Sequence, residues 1–246
     1  WQLNREALQR HFQTELLENF LKWSTVQATM YVGNAPYISD ELGSVSVEHL
    51  HILKNPGIGG LQDAELCTNL IHQYYHLRQW LDRTRQDITQ MEKIVELGAG
   101  YGAMALIIHR LGFTGRYTII DLPEMATLQE YFLGQTLPSL TNVFWLNAAP
   151  SCDLLIGCHS LSEMPEGERE VMMSQIEAKE YLFASFYKFD GVDNEAWFKR
   201  FATKNSNGLP STKLRTGSGP LSCNWDFYPH PCQENTFYQV GVANGA

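Results

Sequence analysis

Apolar residues recur in two different rhythms along this chain, and the rhythm changes near Lys93. Before it, Leu8, Phe12, Leu16 and Phe20 repeat every four positions, with Leu17 and Leu21 beside them and Arg, Glu and Gln between. A four-residue repeat stacks side chains on one helix face, so the spacing predicts an amphipathic helix over 4–23. Residues 24–62 lose the period and carry turn formers, Gly33-Asn34-Ala35-Pro36 and the run from Asn55 to Gly60, which predicts a long loop or cap segment. A second helical face follows in Leu66, Leu70, Tyr74, Leu77 and Leu81, with Asp63 placed to cap it.

Beyond Lys93 short apolar runs alternate with helical stretches. Strands are predicted at 94–97, 117–120, 143–146, 153–157, 181–186 and 237–242, with a further one near 224–228. Helices are predicted near 102–111, 123–133, 166–177 and 193–203, with Gly112 as a C-cap residue and Pro123 as a first-turn proline. That alternation is the signature of a parallel sheet with covering helices. The expected fold is α/β, a Rossmann-like three-layer sandwich with a mostly parallel seven-stranded sheet and an N-terminal helical cap. Residues 1–90 would form the cap and substrate region, and residues 91–246 the cofactor-binding domain. The connection 147–152 departs from this scheme, because a parallel crossover usually needs a dozen residues and a helix.

Composition narrows the partners. The chain is 44% hydrophobic and 18% charged, with no apolar run long enough to span a bilayer, which fits a soluble globular protein without a membrane role. A net charge of -9 disfavours nucleic acid, since phosphate contacts need clustered Lys and Arg. The five cysteines are scattered, without a Cys-x-x-Cys pair, so neither a disulfide framework nor a metal site is indicated, and a reducing, cytoplasmic location is expected. The chain opens without Met and without the pattern of a secretory signal, and is expected to begin inside a longer sequence.

The chemistry concentrates after the first predicted strand. Ile94 to Leu97 runs straight into Gly98-Ala99-Gly100-Tyr101-Gly102, and a helix begins at Ala103. A strand, a glycine turn and a helix make a cofactor cradle: backbone without Cβ lets a ligand come close, and the helix start offers free amide donors. Gly98-x-Gly100-x-x-Ala103 also satisfies a looser dinucleotide fingerprint, which keeps a nicotinamide cofactor in play. Three features favour S-adenosylmethionine. Glu96 stands two residues before the first glycine, where an acid can meet an ammonium group but faces a pyrophosphate badly. Gly102 extends the run to Glu-x-Gly-x-Gly-x-Gly, and helices that can form a lid precede the unit. At the end of the second strand Asp121 is placed to accept both ribose hydroxyls, with Leu122 beside it to pack on adenine.

These residues resemble the class I S-adenosylmethionine-dependent methyltransferases, whose first motif is matched by Glu96 through Gly102, Tyr101 included, and whose ribose acid is matched by Asp121. Within that class, Tyr117 to Glu124, Leu128 to Leu133 and Cys158 to Met164 look like the bacterial sugar O-methyltransferases, although Ala99 stands where that family would carry a third consecutive glycine. The resemblance implies O-methylation of a hydroxyl on a sugar or glycosylated small molecule, with Glu96, Gly98, Gly100, Tyr101, Gly102, Asp121, Leu122 and Asn147 around the cofactor. A phenolic or polyketide hydroxyl, an NAD-dependent oxidoreductase and a non-catalytic S-adenosylmethionine binder stand as rivals.

The fourth strand delivers Cys158-His159-Ser160-Leu161-Ser162-Glu163 to the carboxyl edge of the sheet. His159 is the candidate general base, with Glu163 placed to orient its ring and Asp190 held in reserve. His72 and His76 lie four apart on a predicted helix, but the spacing lacks the glutamate of a zincin motif and favours packed or solvated rings. His49 and His51 carry no clear message. The set Trp225, Phe227, Tyr228, Phe237 and Tyr238 reads as core and strand pairing, and Tyr31, Tyr37, Tyr74 and Tyr75 as cap residues that either pack or meet an acceptor.

Overall fold

The computed structural model describes residues 2–30, 35, 37–60, 65–146, 151–205, 225–231 and 233–242. The chain forms two compact units, one of Trp1–Tyr75, Ala99–Phe113 and Asp121–Asn142, the other of His76–Gly98, Thr114–Ile120 and Val143–Ala246.

The first unit is helical. It holds α1 (Gln2–Thr14), α2 (Ser24–Thr29), α3 (Ile38–Gly43), the first half of α4 (Thr68–Thr84), α5 (Ala103–Arg110) and α6 (Pro123–Thr136). The single helix expected over 4–23 instead stops at Thr14 and gives way to a 3-10 segment, Leu17–Lys22, where Asn19 leaves helical geometry. The four-residue repeat is broken in space: Leu16 is 65% exposed, whereas Phe20 is fully buried. The kink turns Phe20 onto the rings of Tyr101, Tyr131 and Phe132, and edge-on aromatic pairs each contribute about 0.5–1.5 kcal/mol beyond area burial. Arg5 and Gln9 of α1 reach Glu124 on α6, with Arg5 Nη2 3.0 Å from its carboxylate.

The stretch expected as a loop, 24–62, carries α2, α3 and a second 3-10 segment, Val47–Leu53. Each is a turn or two long and buries one or two apolar side chains, among them Val26, Ile38, Ile52 and Leu53. Elements that short show no period over the window needed to see a helix. Asp63, expected to cap the second helix, lies outside the described residues, and that helix begins at Thr68.

Among the described residues the second unit carries a seven-stranded sheet built from β1 (Lys93–Leu97), β2 (Arg116–Ile120), β3 (Val143–Trp145), β4 (Cys152–Cys158), β5 (Ala178–Phe186), β8 (Trp225–Pro229) and β9 (Thr236–Val242), in the order β3-β2-β1-β4-β5-β9-β8. The first five strands in that order are parallel, and β9 runs antiparallel between β5 and β8. This is the mostly parallel, Rossmann-like α/β sheet that the sequence predicts. A short hairpin adds β6 (Lys188–Phe189) and β7 (Val192–Asp193), turning through Asp190 at φ +47°.

Strands β1, β2 and β4 are buried almost end to end, which is why each reads as a continuous apolar run. On one side of the sheet α8 (Glu166–Ser174) and α9 (Asn194–Asn205) place Met173, Trp197, Phe198 and Ala202 against Leu155, Phe183, Trp225 and Phe237. Each such side chain contributes about 1.5–3 kcal/mol by leaving water. The short helix α7 (Ser160–Glu163) follows β4 directly. The second half of α4 brings His76 to Tyr238 and lays Arg83 over the ring of Tyr228 at 3.3 Å. No helix among the described residues is long and apolar enough to cross a membrane.

Candidate functional site

β1 and β2 end side by side, Leu97 opposite Ile120, and the Gly98 amide donates to the Ile120 carbonyl at 2.9 Å. One pair earlier, Glu96 is buried and accepts a 2.7 Å hydrogen bond from the Tyr117 hydroxyl. Burial and the neighbouring carboxylate hold the Tyr117 phenol well above its ordinary pKa, so it remains a donor. The same two influences push the Cys158 thiol up, away from thiolate chemistry. Glu96 is therefore no solvated strand-end charge but an acid held in place by a neighbouring strand.

Gly98 has φ +69°, and a Cβ built there would lie 2.3 Å from the Cβ of Ser160. The Ser160 hydroxyl donates to the Leu97 carbonyl. Gly98 thus lets the turn after β4 close onto the end of β1. Gly100 differs. Its φ is +57°, and a Cβ there would meet nothing nearer than the Met30 side chain at 3.9 Å. Only Gly100 combines a left-handed backbone with open space in this turn, which suits backbone approached by a ligand. A Cβ on Gly102 would press on Leu133 at 3.0 Å, so its absence serves the approach of α5 to α6. Tyr101 is buried in the aromatic cluster, 4.8 Å from Phe132.

Asp121 follows β2 immediately. Its Oδ1 accepts from the Leu122 amide at 2.8 Å and its Oδ2 from Gln129 Nε2 at 2.7 Å. Burial raises its carboxyl to about 6, against the opposing pull of the hydrogen bonds from the Leu122 amide and Gln129. Leu122, at the start of α6, is partly exposed and offers an apolar surface beside that carboxyl. Asn147 lies outside the described residues.

His159 sits between β4 and α7 at φ +66°, ψ -35°. A non-glycine residue there costs about 1–3 kcal/mol and persists only when its surroundings fix it. They do so on both sides: its amide donates to the Ala184 carbonyl at 2.6 Å, and its carbonyl accepts from the Ser162 hydroxyl at 2.6 Å and from the Glu163 amide at 3.2 Å. The ring is buried, 4.4 Å from Phe186 and 5.4 Å from His76 by centroids. His76 Nδ1 in turn meets the Tyr238 hydroxyl at 2.7 Å. Phe186 and His76 flank the His159 ring, and the Glu163 amide bonds the His159 carbonyl. Asp190 lies on the exposed hairpin turn.

In the first unit His72 Nδ1 lies 2.9 and 3.0 Å from the two carboxylate oxygens of Glu41, both side chains fully buried. Tyr74 is buried with its hydroxyl on His49 Nδ1, so it packs rather than faces solvent; Tyr31 lies outside the described residues. Tyr117, Gln129 and Ser160 lie in segments that carry the family resemblance, but their contacts do not follow from the sequence. Gln129 leaves a faint mark there, a polar residue among Met125, Leu128, Phe132 and Leu133 on α6.

No family model matches the chain, and no curated protein matches it. Solved structures do resemble it. A Thermoplasma acidophilum protein aligns with a TM-score of 0.47 at 11% identity, over 72% of this chain and 90% of that one. The O-methyltransferase of a Brevibacillus brevis trans-AT PKS multienzyme, in complex with S-adenosyl-L-homocysteine, aligns at 0.38 and 16%, over 45% and 40%. The 16S rRNA methylase RmtB aligns at 0.44 and 10%, over 98% and 90%. All three scores fall below 0.5.

Proposed function

We propose that this chain is an S-adenosylmethionine-dependent methyltransferase acting on a hydroxyl oxygen of a sugar or glycosylated small molecule. The observation that carries the reading is the group formed by Gly100, Asp121 and Leu122: an open left-handed glycine, a carboxyl fixed by hydrogen bonds and a partly exposed leucine. A nucleoside needs those three things, namely close backbone approach, an acceptor for ribose and an apolar face for adenine. Glu96, two residues before the glycine run, supports an amino-acid moiety over a pyrophosphate.

When bound, S-adenosylmethionine supplies an electrophilic methyl group on a sulfonium. The chain's own part is to hold the acceptor in line, exclude water and take the hydroxyl proton. His159 is assigned that proton, on the strength of its position directly after β4 and its enforced backbone conformation. Residues 1–90 are assigned the covering role over the acceptor. The net charge of -9 supports a small-molecule acceptor over nucleic acid.

Thermal unfolding with S-adenosylhomocysteine or NAD tests the cofactor. At about a hundred times its Kd a ligand stabilises by about 2.7 kcal/mol, which for a chain of this size is about 5–11 °C in Tm. Stabilisation by NAD with no response to S-adenosylhomocysteine refutes the reading. A panel of nucleotide sugars, glycosides and phenols, read by mass for a product gaining one methyl group, then tests the acceptor; methylation of phenols alone refutes the sugar assignment and leaves methyl transfer standing.

A further inference from the structure

Gln129 is fully buried on α6 among apolar neighbours, and its Nε2 donates to the Gly100 carbonyl at 2.8 Å and to Asp121 Oδ2 at 2.7 Å. A primary amide nitrogen carries two N–H groups, so each acceptor receives its own. A leucine would fill the same space. The amide nitrogen therefore serves these two bonds, and both end on groups that a nucleoside must meet: the one open glycine of the turn and the acid after β2.

We infer that Gln129 is a positioning residue for nucleoside recognition, clamping the glycine turn and the Asp121 carboxylate into one fixed geometry before the cofactor arrives. The inference rests on the methyltransferase reading above. A carboxylate offers about four acceptor sites, and the Leu122 amide and Gln129 address two of them, one on each oxygen, which leaves acceptor sites for ribose hydroxyls.

The clamp makes binding proton-linked. The ionised carboxyl accepts from both Gln129 and a hydroxyl more strongly than the neutral acid, and Gln129's bond favours that form. Losing the donor raises the pH at which Asp121 ionises, so the acid limb of cofactor binding moves upward. A side chain that merely fills α6 would leave that limb in place.

Calorimetric binding of S-adenosylhomocysteine from about pH 5 to 8 tests this in the wild type, Gln129→Leu and Gln129→Glu, with circular dichroism as the check on folding. Wild-type affinity is expected to fall as pH drops through about 6. Gln129→Leu should bind about tenfold more weakly at pH 7.5, the loss of one ordinary hydrogen bond, with its acid limb at higher pH. In turnover, KM for S-adenosylmethionine should rise with kcat held at saturation. Gln129→Glu, which sets a second carboxyl against Asp121, should move the limb further. Folded variants with wild-type affinity and an unmoved limb overturn the role of Gln129 alone; a wild type that ignores S-adenosylhomocysteine at every pH takes the methyltransferase reading down with it. Should both variants fail to fold, the side-chain amide resonances of Gln129 in the wild type decide: they should titrate with Asp121 near pH 6, and resonances indifferent to pH overturn the clamp.

Discussion

Replacing Gly98 with Ala puts a methyl group where the turn after β4 has already closed. Two costs arise. At φ +69° a side chain is strained by about 1–2 kcal/mol. The new Cβ would also sit 2.3 Å from the Cβ of Ser160, far inside ordinary contact, and relieving that overlap costs about 1–3 kcal/mol of overpacking. Gly98→Ala should therefore lose about 2–5 kcal/mol in total. Ser160→Gly removes both crowding atoms and leaves the Ser160 Cα at an ordinary 3.7 Å. Alone it should cost about 1 kcal/mol, chiefly the hydroxyl bond to the Leu97 carbonyl. In the double variant the strain stays and the overlap goes, so the two changes should couple favourably by about 1–3 kcal/mol. Urea unfolding of all four proteins, with slopes compared to confirm a common unfolded state, measures the coupling; each kcal/mol is worth about 2–4 °C in Tm at this size. Gly100→Ala serves as the contrast, since it meets only Met30 at 3.9 Å and should pay the backbone strain alone. Additivity of Gly98→Ala and Ser160→Gly within about 0.5 kcal/mol would refute the packing role assigned to Gly98.

His159→Ala should lower turnover by about two orders of magnitude or more, the usual cost of losing a general base, with affinity for S-adenosylhomocysteine unchanged; wild-type turnover in the variant would remove His159 from the chemistry. Glu180 on β5 gives a pH signature, because burial holds its carboxyl at about 7 against an ordinary 4.5. The unfolded chain releases that proton first, so stability falls as pH rises from 4.5 to 7, by up to about 3 kcal/mol. Glu180→Gln should abolish this loss and gain on the wild type between pH 5 and 8 in denaturant titrations; an identical pH dependence in both proteins would show the group to be ordinary.

Most strands and helices beyond Lys93 are legible along the chain, because β1, β2 and β4 are buried almost end to end and the longer helices show their period, whereas the four-residue α7 and the exposed two-residue β6 and β7 are not. The predicted strands at 94–97, 117–120 and 153–157 lie inside β1, β2 and β4, and Trp225–Pro229 confirms the further strand expected near 224–228. The glycine turn and the acid at Asp121 are equally legible, since their chemistry depends on residue type at a fixed distance from a strand end. The break after Thr14 is not legible. Leu16 keeps the four-residue period and yet stands 65% exposed, because the pull of Phe20 toward Tyr101 and Phe132 comes from segments some eighty residues and more away in the chain.

The division of labour among the glycines likewise belongs to tertiary structure. Gly98, Gly100 and Gly102 look alike in the motif, but what each lacks room for is decided by Ser160, Met30 and Leu133, none of them neighbours in sequence. Glu96 was legible as an acid; that it is buried against Tyr117 depends on the register of β1 with β2. Gln129 is the sharpest case, a single polar residue on an apolar helix face whose purpose appears only when α6 carries it to Gly100 and Asp121. Local pattern determines which residues can form strands, turns and acids, because those properties are set within a few residues. Which of them become clamps, spacers or ligand contacts is set by side chains that folding brings from far along the chain.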